Sequence, residues 1–131
     1  MKYLGIDYGL AYLGLSVGDD ESRVAVPMDT IRETDLKRQA ITIEQIVADE
    51  EIDAVVVGNP LTLEGEEQEQ VERTLAFINE LSGRIGVEVH REDERFSSDF
   101  AQRQKMEDPD GKFDEHALAA AFILQAFLDR Q

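Results

Sequence analysis

The first thirty residues show short apolar runs separated by turn-forming residues. Three such runs are present, at Tyr3–Gly9, Ala11–Gly18 and Val24–Met28, and glycine and aspartate cluster between them. Runs of this length between turn formers predict β-strands. Pro27 favours a sheet edge or a strand end for the third run, because proline cannot donate to a strand ladder. The pattern therefore predicts an antiparallel meander whose first strand lies centrally.

From Thr34 onward the hydrophobic period alternates between that of helices and that of strands. The apolar run Ala54–Val57 is continuous, which predicts a strand buried on both faces. Gly65 is assigned to an acidic loop, and an exposed loop is predicted at Glu107–Gly111. The order of elements predicts one α/β domain over residues 1–131 with a mixed five-stranded sheet. The predicted helices are 34–50, a segment through Val71 and Leu81, Phe96–Met106 and 114–130, and the further strands are Ile52–Gly58 and Val87–His90.

Composition and charge restrict the class of protein. The chain has 131 residues, 42% of them apolar, and no cysteine, so we expect a soluble globular protein without disulfides or a cysteine zinc site. The first apolar run is interrupted by Asp7, and no run approaches the roughly 20 apolar residues of a membrane span. We therefore expect a cytoplasmic protein that does not contact membranes.

The net charge is the unfavourable observation for a nucleic-acid role. Against 29 acidic residues the chain has 13 lysines and arginines, giving −16. This charge repels a phosphate backbone, so nucleic-acid binding would require a local basic patch or bridging metal ions. An acidic, lysine-poor surface would also suit a host that lives in high salt.

Carboxylates follow two of the predicted strands. Asp7 lies at the end of the first apolar run between Gly5 and Gly9, and the pair Asp93 and Glu94 follows the fifth strand. Ligands collect at the carboxyl ends of central strands, and converging carboxylates suit Mg²⁺ or Mn²⁺. Such ions can activate water for phosphodiester cleavage.

Simpler roles exist for the same acids. Asp7 could cap a strand end by accepting from turn amides. Asp93 and Glu94 could form a surface ion-pair cluster with Arg91 and Arg95 in the charged run after the strand. These alternatives stay open on residue types alone.

The last helix is the element that could supply a further ligand. His116 is the polar head of an otherwise apolar stripe at three-and-four spacing, and if that stripe faces the sheet His116 points towards Asp7. Asp114 is expected to be the N-cap. The alternative for His116 is a helix-start histidine bonded to a nearby carboxylate. The other members of the stripe are Ala119 or Ala120, Ile123 and Phe127.

With these residues considered together, the chain resembles the YqgF/RuvX family, a group described as Holliday junction resolvases or pre-16S rRNA nucleases. The resemblance rests on four motifs that occur in the family's order and span nearly the whole chain. They are Gly5–Gly9 with Gly14, Val56–Leu61 with Gly65, Asp93–Ser98 and Ala119–Gln125.

The resemblance implies a ribonuclease H-like three-layer fold and a nuclease that uses Mg²⁺ or Mn²⁺. It implies that Asp7 and Glu94 hold metal and that Asp93 assists, and that the substrate is an rRNA precursor more readily than branched DNA. Where the family has an aspartate on the last helix, this chain has His116. The resemblance therefore implies that His116 is the third metal ligand or a proton-transfer group. Arg95 and Asn59 are the implied contacts to nucleic acid.

The chain departs from the family pattern where basic residues are usual. Leu10–Tyr12 follows the first glycine motif and Glu107–Asp110 precedes the last helix, and neither contains a cation. With the imidazole of His116, these departures favour an alternative, a non-catalytic member that binds nucleic acid or a protein. A third hypothesis is a nucleotide-binding domain, since the turn at Asp7–Gly9 also resembles the phosphate loop of actin-like ATPases, which need two such halves.

Overall fold

The computed structural model describes residues 1–60, 65–94 and 114–131, with the backbone alone described for 59, 60, 65–68, 93 and 94. Within these ranges five strands and three helices form. They are β1 (Lys2–Tyr8), β2 (Tyr12–Asp19), β3 (Ala25–Arg32), α1 (Leu36–Asp49), β4 (Ala54–Pro60), α2 (Gly65–Ser82), β5 (Glu88–Glu94) and α3 (Glu115–Asp129).

The strands form one mixed sheet in the order β3-β2-β1-β4-β5. β1 pairs antiparallel with β2 and β2 antiparallel with β3, whereas β1 and β4, and β4 and β5, are parallel. The predicted mixed five-stranded sheet with a central first strand is confirmed. Pro27 lies in β3 at the edge of the sheet, as its missing N–H requires.

Alternation along β1 divides the apolar side chains between two layers of helix. Leu4, Ile6 and Tyr8 belong to a core that also contains residues of α1 and α2. Tyr3 belongs to a second core on the other face, built with α3. Asp7 has the parity of Tyr3, so its side chain is on the α3 face. The period of two along one strand thus decides that the carboxylate meets α3 rather than α1 or α2.

Two predicted boundaries are wrong in ways that affect the site. The charged run Arg91–Glu94 does not follow the fifth strand but belongs to it, because its backbone pairs in register with Val57–Pro60 of β4. A ladder is made by backbone groups, so charged side chains do not end it at a sheet edge. Gly65 begins α2 rather than lying in a loop.

Two strands also differ from their predicted bounds. β3 continues to Arg32, four residues beyond the predicted end, and β4 runs from Ala54 to Pro60 rather than from Ile52 to Gly58. The helix predicted at Phe96–Met106 and the loop predicted at Glu107–Gly111 lie outside the described residues. Among the residues that are described, no helix combines the length and apolar character of a membrane span.

Candidate functional site

Asp7 lies at the carboxyl end of the central strand, opposite Gly14 of β2 in the antiparallel register. Only 19% of its side chain is accessible to solvent. A carboxylate this enclosed needs a cation, a metal ion or hydrogen-bond donors to offset lost hydration. The groups around Asp7 therefore define the candidate site.

The start of α3 reaches Asp7 because Gly14 has no side chain. A Cβ on Gly14 would lie 1.9 Å from the carbonyl oxygen of His116 and 2.9 Å from the His116 Cβ. At Gly5, two residues before Asp7, a Cβ would lie 2.8 Å from the Cβ of Leu124. Both glycines permit a helix-to-sheet approach that any side chain would prevent, and this approach brings His116 to the sheet surface.

His116 is adjacent to Asp7. Its Nδ1 lies 3.6 Å from Oδ2 of Asp7, and its Nε2 lies 3.8 Å from Oε1 of Glu115. These distances suit an ion pair when the imidazole is protonated and are too long for hydrogen bonds. The expected orientation of the stripe is confirmed, since Ala119, Ala120, Ile123 and Phe127 are buried against the sheet.

The N-cap of α3 fixes the position of His116. The carboxylate of Asp114 accepts from the backbone N–H of His116 at 2.8 Å and from the hydroxyl of Thr30 at 3.2 Å. The His116 N–H is the main cause that lowers the pKa of Asp114, and the Thr30 hydroxyl adds to it. Asp114 is thus the predicted cap, and it ties the first turn of α3 to β3.

An aromatic ring forms another wall of the site. Tyr12, the first residue of β2, stacks on the His116 imidazole with ring centroids 4.6 Å apart and planes inclined by 14°. The Arg32 guanidinium carbon lies 5.0 Å from the centroid of the Tyr12 ring, and its Nη1 donates to the Tyr12 hydroxyl at 3.4 Å. Arg32, Tyr12, His116 and Asp7 therefore form one continuous series of contacts.

A buried amide holds the turn that follows Asp7. Gln39 of α1 is fully buried, accepts from the Tyr8 hydroxyl at 2.7 Å and donates to the carbonyl of Glu33 at 2.7 Å and of Gly9 at 3.4 Å. Burial raises the pKa of Tyr8, which keeps the phenol protonated as a donor. Sequence reasoning missed Gln39, although a glutamine beside Ala40 on an apolar helix face was an available signal.

The structure assigns backbone positions alone to three of the predicted site residues. Asn59 pairs with Asp93 and Pro60 with Glu94 at the carboxyl ends of β4 and β5. β4 is the parallel neighbour of β1, so these positions lie at the same end of the sheet as Asp7. The side chains of Asn59, Asp93 and Glu94, and the whole of Arg95, lie outside the described residues.

Glu92 is a charged residue that sequence reasoning did not single out. It is 3% exposed, and its carboxylate forms an ion pair with the guanidinium of Arg130 just beyond α3. In the β4–β5 register Glu92 is opposite Gly58. Extending the fifth strand and following its alternation from His90 would have predicted that Glu92 faces inward. Its contact with Arg130 fastens the end of α3 to the sheet.

The described donors fit part of a divalent-metal site. A carboxylate and an imidazole, at Asp7 and His116, are ligands that Mn²⁺ accepts, and two carboxylates would suit Mg²⁺ better. Within 1–60, 65–94 and 114–131, no three histidine, aspartate or glutamate side chains are grouped as metal ligands. The residues therefore fit such an ion if Glu94 or Asp93 completes the set.

Sequence comparison decides the family. The model of the RuvX family, described as Holliday junction resolvase, matches residues 1–130. The chain belongs to the RuvX family. A "Putative pre-16S rRNA nuclease" of Endomicrobium trichonymphae is 33% identical over 99% of this chain and 96% of its own length. One of the same description from Anaeromyxobacter sp. is 36% identical, over 98% and 97%.

Solved structures agree on the fold of this RuvX-family chain. Thermus thermophilus RuvC in complex with a Holliday junction substrate matches with a TM-score of 0.70 at 17% identity, over 99% of this chain and 96% of that one. The fowlpox virus Holliday junction resolvase matches with a TM-score of 0.61 at 11% identity, over 100% of both. The ribonuclease H-like fold predicted from the sequence is confirmed.

Proposed function

We propose that this RuvX-family chain is a metal-dependent endonuclease that processes the 5′ end of the 16S rRNA precursor in the cytoplasm. The observation that carries the proposal is the placement of His116, 3.6 Å from the enclosed carboxylate of Asp7 at the end of the central strand. Relatives described as pre-16S rRNA nucleases support the RNA substrate. Resolution of branched DNA is the second substrate to test, because the matching family model is described as a resolvase.

The proposed roles follow the resemblance. Asp7, Glu94 and His116 would hold Mg²⁺ or Mn²⁺, and Asp93 would assist. Bound ions of this kind activate a water molecule and stabilise a leaving oxygen in phosphodiester cleavage. Asn59 and Arg95 would contact the nucleic acid.

The chain's own contribution can be stated for the two described side chains. The carboxyl group of Asp7 is mostly enclosed, so a divalent cation gains more from it than from an exposed carboxylate. His116 is placed against the Tyr12 ring and lies at a distance where its imidazole can exchange a proton with a group bound at Asp7. Histidine suits this role because its imidazole can both donate and accept a proton.

An imidazole in place of a carboxylate should alter metal preference. It removes one negative charge from the ligand set, and Mg²⁺ depends on anionic oxygen ligands more strongly than Mn²⁺ does. We therefore expect wild type to favour Mn²⁺ and His116→Asp, which restores the family's residue, to gain activity with Mg²⁺.

The test is calorimetric titration of Mn²⁺ and Mg²⁺ together with cleavage of an RNA that spans the 5′ end of 16S rRNA. Asp7→Asn and His116→Ala are expected to lose metal binding and to reduce cleavage on the order of 100-fold or more. His90→Ala is the matched control, since the chain has two histidines and His90 lies instead against Phe127 and Glu88.

Three results would contradict the proposal. Equal losses in His90→Ala and His116→Ala would show a structural effect. Full activity in Asp7→Asn would remove the proposed centre. RNA binding without cleavage by wild type in either metal would favour the non-catalytic alternative, in which the same fold only binds nucleic acid.

A further inference from the structure

An open groove lies beside the candidate site, on the β2–β3 side. It has a volume of about 300 Å³ and is lined by Ala11, Tyr12, Arg32, Glu33 and Thr34. This is at the small end of ligand sites, which span roughly 300–1,000 Å³. The groove adjoins the site through Tyr12, which lines the groove and stacks on His116 beside Asp7.

Within the described part of the chain, Arg32 is a cation with unused donors. It is exposed, and it forms no ion pair with any residue of the described ranges. The one side-chain hydrogen bond of Arg32 within those ranges is the 3.4 Å contact to the Tyr12 hydroxyl. A guanidinium has five N–H donors, so most of those of Arg32 have no partner among the described residues.

Two described acids near Arg32 accept hydrogen bonds from other donors. The carboxylate of Glu33 accepts from the backbone N–H groups of Thr34 at 3.0 Å and Asp35 at 3.1 Å. That of Asp114 accepts from Thr30 and from the N–H of His116. Arg32 adds a minor electrostatic lowering of the pKa of Asp114 but does not pair with it. Arg32 therefore keeps its charge available in a protein whose net charge is −16.

Arg32 supplies a positive charge beside a segment that has none of its own. The segment Leu10–Tyr12 after the glycine motif carries no cation. Arg32 stands directly opposite Tyr12 in the β2–β3 register, so the neighbouring strand supplies a cation at the same level of the sheet. A planar guanidinium is well suited to bind phosphate through two parallel hydrogen bonds.

We propose that this groove binds one nucleotide of the substrate strand, with its backbone phosphate held by Arg32 and its sugar against Ala11 and Tyr12. The inference rests on the proposed function for the identity of the strand, which is RNA. Ala11 has the smallest side chain of the groove lining. Held there, the nucleotide adjoins the Asp7–His116 pair through Tyr12, so the groove would position the strand rather than take part in cleavage.

The test measures binding of a short fluorescent RNA as a function of salt, with Ca²⁺ in place of Mn²⁺ to prevent cleavage. Each phosphate contact contributes about 0.7 to the slope of log K against log salt for a single strand. Arg32→Gln is expected to lower the slope by about 0.7 and to weaken binding about tenfold at low salt. Ala11→Leu fills the groove without a charge change and is expected to weaken binding while keeping the slope.

The matched control is Arg23→Gln. It removes the same charge from the turn at the opposite end of β2, where no ion pair to Arg23 is present among the described residues. The inference is overturned if Arg32→Gln and Arg23→Gln give the same slope. It is also overturned if inorganic phosphate alone saturates wild type below about millimolar concentration, which would indicate a free anion site.

Measuring both RNA binding and RNA cleavage distinguishes the groove proposal from the nuclease proposal. An unchanged salt slope in Arg32→Gln with Asp7-dependent cleavage intact refutes the groove and leaves the nuclease. A reduced slope in Arg32→Gln without cleavage by wild type supports the groove and refutes the nuclease. Wild type that neither binds nor cleaves the RNA refutes both.

Discussion

Gly14→Ala tests whether the close approach of α3 to the sheet creates the site. The added Cβ would lie 1.9 Å from the carbonyl oxygen of His116 and 2.3 Å from its carbonyl carbon. Real Cβ atoms are at least 3.0 Å from such neighbours, so the start of α3 must move away from the sheet by about 1.1 Å. These are backbone atoms of a helix, so no side-chain rotation can relieve the overlap.

The expected cost follows from that displacement. Overpacking a close contact costs about 1–3 kcal/mol. Weakening the buried bond from the Ser16 hydroxyl to the Ala120 carbonyl, which is 2.8 Å long, adds about 1 kcal/mol. We expect the free energy of unfolding to fall by about 2–4 kcal/mol, and the melting temperature to fall by roughly 3–5 °C for each kcal/mol.

The same displacement of α3 should reduce the cleavage rate even where the variant is fully folded. A misplacement of about 1 Å in a catalytic group can cost on the order of 100-fold in rate. Cleavage is measured at a temperature where urea denaturation shows that Gly14→Ala is fully folded, so that the lost rate reports the position of His116 relative to Asp7.

Gly86→Ala is the matched control, because a Cβ there meets nothing within 4 Å. It should leave the cleavage rate unchanged. The free energy of unfolding should be unchanged or higher by up to about 1 kcal/mol, because alanine lowers the conformational entropy of the unfolded chain. The reasoning is refuted if Gly14→Ala is as stable and as active as Gly86→Ala. Loss of stability with full activity would show that the helix start does not set the site.

Two further substitutions probe the groups that hold the site in place. Gln39→Leu should lower the free energy of unfolding by about 2–4 kcal/mol in urea denaturation, since it leaves the Tyr8 hydroxyl and the Glu33 carbonyl without their buried partner. Asp114→Ala should cost about 1 kcal/mol at pH 7 through loss of the N-cap to His116. Because the pKa of Asp114 is lower in the folded protein, the contribution of its charge is present above the unfolded pKa of about 3.9 and is lost as pH falls through the folded value.

Matched variants separate these effects from general damage. Gln45→Leu changes an exposed glutamine on the same helix as Gln39 and should be nearly neutral, so equal losses in the two would contradict a role for burial. Asp114→Asn keeps a capping oxygen without the charge, and it should retain most of the stability at pH 7. If the difference between Asp114→Ala and wild type is the same at pH 7 and pH 2, the carboxylate charge is not the cause.

Local patterns were sufficient for the order of elements and for the likeness to a family. The three strands predicted up to Met28, the buried strand at Ala54–Val57 and the apolar stripe of α3 follow from hydrophobic period and turn residues, which are properties of neighbours along the chain. The same local rules placed Asp7 at a strand end and Asp114 at a helix start.

The sequence did not determine the extent of β5 or the burial of Glu92. Strand pairing at a sheet edge depends on the partner strand, so a charged run can continue a ladder when β4 extends beside it. Burial of Glu92 depends on Arg130, which is distant in sequence and arrives only when α3 docks.

For the candidate site, the sequence alone determined the residue types at Asp7 and His116 and predicted that they face each other. The tertiary structure decided the distance between them, through the missing side chain of Gly14, and it placed Arg32 opposite Tyr12. Those contacts join segments that the chain separates by many residues. Their positions follow from register and close packing in three dimensions, which no local pattern specifies.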